Sequence, residues 1–179
     1  MTTRTVMAKS NQRIAVFPGT FDPVHLGHID LIERSAALFD RLVVGIGENP
    51  EKTALMDLPA RKALIENLTA HLGNVTVEIY RGLTVAFAQR LGAGVILRGI
   101  RHVGDLDFEM RMAVTNRSVS GLDTLFIMAS PQYLFLSSSL IKQIAAGGGD
   151  VASMVPPEAL QHLKRKAPGI KKRRQGRGA

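Results

Sequence analysis

The sequence predicts a Rossmann-like α/β domain: a doubly wound, five-stranded parallel sheet covered by helices on both faces. Three observations carry that expectation. Short apolar runs rich in β-branched residues alternate with stretches of helical periodicity, the strand-then-helix order repeats five times, and a chain of 179 residues, 45% of them hydrophobic, suffices for one compact domain with a sizeable core. No internal repeat and no second domain is visible.

Taken in order, the predicted strands are RIAVFP (13–18), RLVVGIG (41–47), NVTVEIY (74–80), GVILR (94–98) and DTLFIMAS (123–130). Helical patterns fall near 28–39, 58–71, 84–91, 105–118, 137–146 and 157–166. Ile29, Ile32, Ala36 and Phe39 share one face of the first helix, and Leu64, Leu68 and Leu72 repeat along the second, with Asp57 as its N-cap and Pro59 in its first turn. Gly147 to Gly149 stop the fifth. Successive parallel strands require right-handed crossovers, and in such sheets ligands gather outside the carboxyl ends of the strands, where the strand order reverses.

Charge and cysteine content narrow the chemistry. The formal charge is +8, but eight of the 23 Lys and Arg residues fall from Lys164 onward with no acidic residue among them, leaving 15 basic against 15 acidic residues in the body. The expected organisation is therefore a flexible extension over 1–12, a domain over 13–166 and a disordered basic tail over 167–179, read either as a solvated terminus or as a weak binder of polyanions. Met7 is a candidate alternative start. No cysteine is present, which excludes disulfides and thiolate metal sites. No stretch has the length and hydropathy of a signal core or a membrane span, so the expected location is the cytoplasm, away from membranes.

FPGTFDPVHLGH (17–28) closes the first strand and opens the first helix. Gly19 permits close backbone approach, Thr20 offers a hydroxyl, and the amides of a helix N-terminus attract an anion, so its position makes it a phosphate cradle. It matches neither the Walker nor the dinucleotide fingerprint. His25 and His28 also admit two other readings: a metal pair lacking an evident third ligand, or histidines on an ordinary turn facing solvent. Further anion-seeking groups fall on the same predicted edge. Lys52 follows the second strand, Arg98 and Arg101 follow the fourth, and Ser137 to Ser139 open a helix after the fifth. Singly, Lys52 reads equally as a surface lysine and the serines as a helix cap; together they point to a polyanionic ligand.

These residues carry a family resemblance. HLGH resembles the T/H-x-G-H signature of the nucleotidyltransferase superfamily, and LSSSLIK resembles its second signature, I-S-S-T-x-x-R. FPGTFDPVHLGH, RGIR, FEM and LSSS in one chain resemble the phosphopantetheine adenylyltransferase family, with consistent spacing from about Arg13 to Lys164. The resemblance implies adenylyl transfer from ATP to 4′-phosphopantetheine, giving 3′-dephospho-coenzyme A and pyrophosphate by direct attack of the acceptor phosphate on the α-phosphorus. By the same resemblance, the catalytic residues are His28, which stabilises the transition state, with Thr20, Lys52 and Arg101. Lys52, Arg98 and Thr20 hold the acceptor, and Thr84 lies beside its pantetheine arm. ATP is held by Thr20, Phe21, His28, Gly99, Ile100, Arg101, Glu109, Tyr133, Leu134, Phe135, Leu136, Ser137, Ser138 and Ser139, with Glu109 near the ribose and Arg101 and the serines at the triphosphate. Magnesium is implied as a cofactor, carried largely by phosphates and water, with protein ligands that the sequence does not identify. Dephospho-coenzyme A and coenzyme A are implied ligands, and a homohexamer the implied assembly.

The chain departs from the pattern at Phe17 and Phe108, where relatives commonly carry Tyr, and at His25, where the family more often has Thr. Two other functions are weighed against this one. A related transferase using nicotinamide mononucleotide or a CTP-dependent alcohol phosphate would share His28 and the serines but lack the RGIR and FEM pair. An RNA-binding or regulatory module with a degenerate pocket would explain the tail but not the intact set Thr20, His28, Lys52, Arg98 and Arg101. An aminoacyl-tRNA synthetase with an anticodon domain needs a longer chain.

Overall fold

A computed structural model describes residues 12–48 and 54–166. Its sheet contains β1 (Ile14–Gly19), β2 (Arg41–Gly47), β3 (Val75–Tyr80), β4 (Val95–Ile100) and β5 (Asp123–Met128), all parallel, in the order β3-β2-β1-β4-β5. The helices are α1 (Leu26–Ala36), α2 (Leu58–Leu68), α3 (Thr84–Arg90), α4 (Val103–Ser120), α5 (Ser138–Ala146) and α6 (Pro157–Lys166), with a short 3-10 turn at Pro131–Tyr133. The chain winds outward from β1 in both directions. The order therefore reverses between β1 and β4, where a ligand crevice is expected.

Alternation along β1 distributes the core to two faces. Ala15 and Phe17 join Leu42, Val44 and Ile46 of β2 and Leu97 of β4 under α1, α2, α5 and α6, whose Ile32, Ile65, Ile141 and Leu163 are fully or almost fully buried. Val16, Val43 and Ile96 face the other way, against Val85, Phe87 and Ala88 of α3. A strand sandwiched between two helical layers needs apolar residues on both faces, which explains the unbroken runs IAVFP and LVVGI. Ile29 and Phe39, Leu68 and Leu72 pack on the larger cluster as the helical pattern predicts. Asp57 caps α2, its Oδ1 accepting from the Ala60 N–H at 2.8 Å.

The boundaries shift in informative ways. α1 starts at Leu26 rather than near 28, because His25, not a Ser, Thr, Asn or Asp, is its N-cap. α4 runs from Val103 to Ser120 rather than 105–118 and stops at Gly121, whose φ of 74° is the left-handed C-cap conformation. β5 ends at Met128, two residues early, and β4 runs two residues past Arg98 to Ile100. The only buried side chain of α4 is Glu109, and its Phe108, Met110, Met112, Val114 and Val119 are exposed beside the exposed Leu125, Phe126 and Met128 of β5. Among the described residues, no helix is long and apolar enough to cross a membrane.

Candidate functional site

A cavity of about 260 Å³ opens at the carboxyl edge between β1 and β4. The turn after β1 forms one wall. There Phe21 adopts φ 49°, unusual for a residue with a side chain, and Asp22–Pro23 is a cis peptide. The Phe21 ring folds back over Gly19, where a Cβ would lie 2.9 Å from two ring carbons, so a side chain at position 19 would push the ring from its place. Gly99 is constrained similarly from β4, since a Cβ there would run into the Leu31 side chain.

His25 and His28 form a reciprocal cap at the start of α1. The His28 N–H donates to His25 Nδ1 at 3.3 Å, and the His25 N–H donates to His28 Nδ1 at 3.2 Å. The rings stack with centroids 3.6 Å apart, and the Phe21 ring meets His28 edge-on at 5.0 Å. An Nδ1 that accepts a hydrogen bond carries no proton, so a neutral ring bears its proton on Nε2 as a donor. Burial, with Arg101 nearby, pushes the His25 imidazole down to about 4. Burial, then His25, Arg101 and Arg98, holds the His28 imidazole well below its ordinary value. Both rings are therefore neutral at physiological pH, and His28, half-buried in the cavity wall, is an uncharged donor. The reading of solvent-facing histidines is overturned for His25, which is only 6% exposed.

Two arginines supply the positive charge. Arg98 donates from Nε to Glu109 Oε2 at 2.7 Å, from Nη2 to Glu109 Oε1 and from Nη1 to the Pro18 carbonyl at 3.0 Å, the last contact bridging β4 to β1. Arg101 grips Asp105 through Nε and Nη2, both at 2.9 Å, and donates from Nη1 to the Leu136 carbonyl at 2.8 Å. Burial pulls the Asp105 carboxyl upward, and the hydrogen bonds and charge of Arg101 outweigh it, leaving it below its ordinary value. Three N–H donors of each guanidinium are thus committed within the protein, which fixes the plane of each fork before any ligand arrives.

The serines have structural employment as well. The Ser137 Oγ caps α5 by accepting from the Leu140 N–H at 3.2 Å, and the Ser138 Oγ donates to the Pro23 carbonyl at 2.9 Å, tying α5 to the turn after β1. Both line the cavity at a helix N-terminus, a place that favours an anion.

Of the residues singled out in the sequence, Thr20, Phe21, His28, Arg98, Gly99, Arg101, Glu109, Tyr133, Leu136, Ser137 and Ser138 all line this cavity. Ile100, Leu134, Phe135 and Ser139 do not: Ile100 is buried in the fold, and the other three side chains are exposed. Thr84 lines a second cavity of about 420 Å³, and its hydroxyl pairs with the Tyr80 hydroxyl at 2.8 Å. Lys52 lies outside the described residues. Asp105 escaped the sequence reading, although its place four residues after Arg101 at a helix start was a usable signal. Among the described residues no group of three or more His, Asp or Glu side chains is placed to hold a metal ion.

Comparison with known proteins identifies the family. A sequence model of the cytidylyltransferase-like family matches residues 16–144. The phosphopantetheine adenylyltransferase of Gloeobacter violaceus is 48% identical over 157 residues, covering 87% of this chain and 98% of that protein. The phosphopantetheine adenylyltransferase of a Synechococcus species is 44% identical over 156 residues, with the same 87% and 98% coverage. A crystal structure from Vibrio parahaemolyticus, provisionally assigned as a nicotinate-nucleotide adenylyltransferase, superposes with a TM-score of 0.65 at 18% identity, covering 90% of this chain and 97% of that one, and so shares the fold. By sequence over nearly its whole folded body, the chain belongs to the cytidylyltransferase-like family and, within it, to the phosphopantetheine adenylyltransferases.

Proposed function

We propose that the protein transfers the adenylyl group of ATP to 4′-phosphopantetheine, releasing pyrophosphate and 3′-dephospho-coenzyme A. The observation that carries this reading is the joining of two unlike cavities at Arg98. The first, lined by His28, Arg101 and the start of α5, has the donors and cations that a nucleotide triphosphate requires. The second shares Pro18, Arg98 and Glu109 with it and continues between Leu83, Val85, Phe108, Met112 and Val119. There the Thr124 hydroxyl is buried without a hydrogen-bond partner among the described residues, which suits an apolar arm bearing amides. A phosphate held at the junction would place its oxygen toward one cavity and its substituent in the other.

The chemistry needs alignment more than a covalent intermediate. The acceptor phosphate is itself the nucleophile: its oxygen forms the new bond to the α-phosphorus while the bond to the pyrophosphate oxygen breaks. In this reading Arg98, Lys52 and Thr20 hold the acceptor. His28 Nε2–H donates to the α-phosphate oxygens as charge builds, and Arg101 with the α5 N-terminus holds the leaving pyrophosphate. A neutral His28 donor avoids the desolvation cost of a buried imidazolium while strengthening toward the transition state.

Magnesium fits this site as a companion of the triphosphate. Asp105 and Glu109 are each engaged by an arginine, so the cation's shell would come mostly from phosphates and water, as its strict octahedral preference favours. Bound there, it would offset negative charge on the departing pyrophosphate.

The exposed apolar surface of α4 and β5 supports a homo-oligomer, with a hexamer as the family expectation. Placing a charge in it by Met112→Lys should lower the mass seen in sedimentation, and an unchanged mass would remove this support. The segments over 1–12 and 167–179 are proposed as accessory to a catalytic unit spanning 13–166. Deleting 167–179 should leave turnover unaltered, and any polyanion binding it confers should weaken steeply with salt.

The functional test is pyrophosphate release with magnesium and ATP against a panel of phosphorylated acceptors. Turnover with 4′-phosphopantetheine alone is expected. Comparable turnover with nicotinamide mononucleotide, or none with phosphopantetheine, would overturn the assignment.

A further inference from the structure

Asp22 is a carboxylate 5% exposed that takes no part in the steps above, yet it collects contacts from three other segments. Its Oδ2 accepts from the Leu55 N–H at 2.8 Å and from Lys142 Nζ at 3.2 Å, and its Oδ1 accepts from the Met56 N–H at 3.0 Å. Arg61 of α2, itself only 6% exposed, lies 3.8 Å from Oδ1. That guanidinium donates from Nε to the Met56 carbonyl at 2.7 Å and from Nη1 to the Thr20 carbonyl at 3.0 Å. One charge cluster, buried at Asp22 and Arg61 and partly exposed at Lys142, therefore ties together the turn after β1, the chain at Leu55 and Met56, α2 and α5.

The placement of this knot gives it a consequence for the reaction. Through the Leu55 and Met56 amides, Asp22 fastens the chain leading into α2 to the turn after β1 that carries Thr20. The same carboxylate precedes Pro23, whose carbonyl receives Ser138, and follows Thr20 and Phe21. Lys142 ends the LSSSLIK stretch, where the related signature carries Arg, but it lies outside the cavity lining and its ammonium is turned to Asp22.

We propose that Asp22 and Lys142 are a positioning pair that holds the chain at Leu55 and Met56 in register with the turn at Thr20, so that acceptor binding depends on them although neither touches the acceptor. This rests on the adenylyl-transfer reading, in which Thr20 serves the acceptor. The charge on Asp22 matters chemically. Asparagine offers one carbonyl oxygen where the carboxylate offers two, so it cannot accept from both amides and would leave Lys142 and Arg61 without their counter-charge.

The test uses the full chain carrying Lys142→Met or Lys142→Arg, read by steady-state kinetics and by amide hydrogen exchange at Leu55 and Met56. In Lys142→Met, exchange at these two amides should accelerate roughly tenfold and the KM for 4′-phosphopantetheine should rise about tenfold, with the KM for ATP within about twofold of wild type. Lys142→Arg, which keeps the charge, should recover most of both effects. Unchanged exchange and kinetics in folded Lys142→Met would overturn the proposal. A rise confined to the KM for ATP would overturn it too, by making Lys142 a nucleotide ligand. If wild type turns over no phosphopantetheine, the functional reading fails separately, and accelerated or unchanged exchange at Leu55 and Met56 still decides whether the pair anchors these two residues.

Discussion

Arg98 and Glu109 meet fork to fork, through Nε and Nη2, while the remaining nitrogen of Arg98 reaches the Pro18 carbonyl. The cation at the junction of the two cavities is thereby oriented by a carboxylate that the family resemblance assigned to the ribose.

Arg98→Lys tests that orientation. An ammonium keeps the charge but cannot hold two oxygens of Glu109 and a strand carbonyl in one plane. The expected loss is about 1.5–3 kcal/mol in kcat/KM, carried by the KM for phosphopantetheine, with ATP affected less. Equal weakening of both substrates would mean that Arg98 grips the nucleotide as much as the acceptor.

His28→Ala removes the donor aimed at charge that develops only in the transition state. Turnover should fall on the order of 10²–10³-fold with the dissociation constant of ATP nearly unchanged. Because the imidazole acts while neutral, wild-type turnover should show no rise as pH falls from 8 to 6. A rise through about pH 6.5 would mean that an imidazolium carries the effect.

His25 should leave its mark on stability instead. Its folded-state value of about 4 lies below the ordinary 6.5, so between those limits the unfolded chain binds the proton and the folded chain resists it. Stability should therefore be complete above about pH 6.5 and decline as pH falls toward 4, with His25 accounting for on the order of 3 kcal/mol. His28 acts in the same direction. His25→Thr, which keeps a side-chain acceptor for the His28 N–H, should flatten the fall in urea midpoint between pH 7 and 4.5. An identical fall in the variant would contradict this.

The fold was legible because its signals are local. Runs such as LVVGI can be strands only where both faces are covered, and Asp57 before Pro59 marks a helix start in any context. The start of α1 was misplaced because His25 caps it through a ring nitrogen, outside the usual set of capping residues. The cavity lining was legible where a residue type announces its chemistry, as with Arg98, Arg101, His28 and Ser138. What the sequence could not convey is how those groups are occupied within the protein. Nothing in the spacing of Asp22 and Lys142, 120 residues apart, signals their contact. Glu109 facing Arg98 depends likewise on how α4 lies across β4, which the weakly amphipathic sequence of α4 does not specify.

Direct transfer to the acceptor passes through no adenylylated enzyme, and isotope exchange between pyrophosphate and ATP separates the two routes. With magnesium and wild-type protein, label from pyrophosphate should enter ATP when 4′-phosphopantetheine is present and should not enter when it is omitted, because the α-phosphorus is released from pyrophosphate only by bonding to the acceptor. Exchange without acceptor would reveal a covalent intermediate, and no exchange with acceptor present would contradict the assigned reaction.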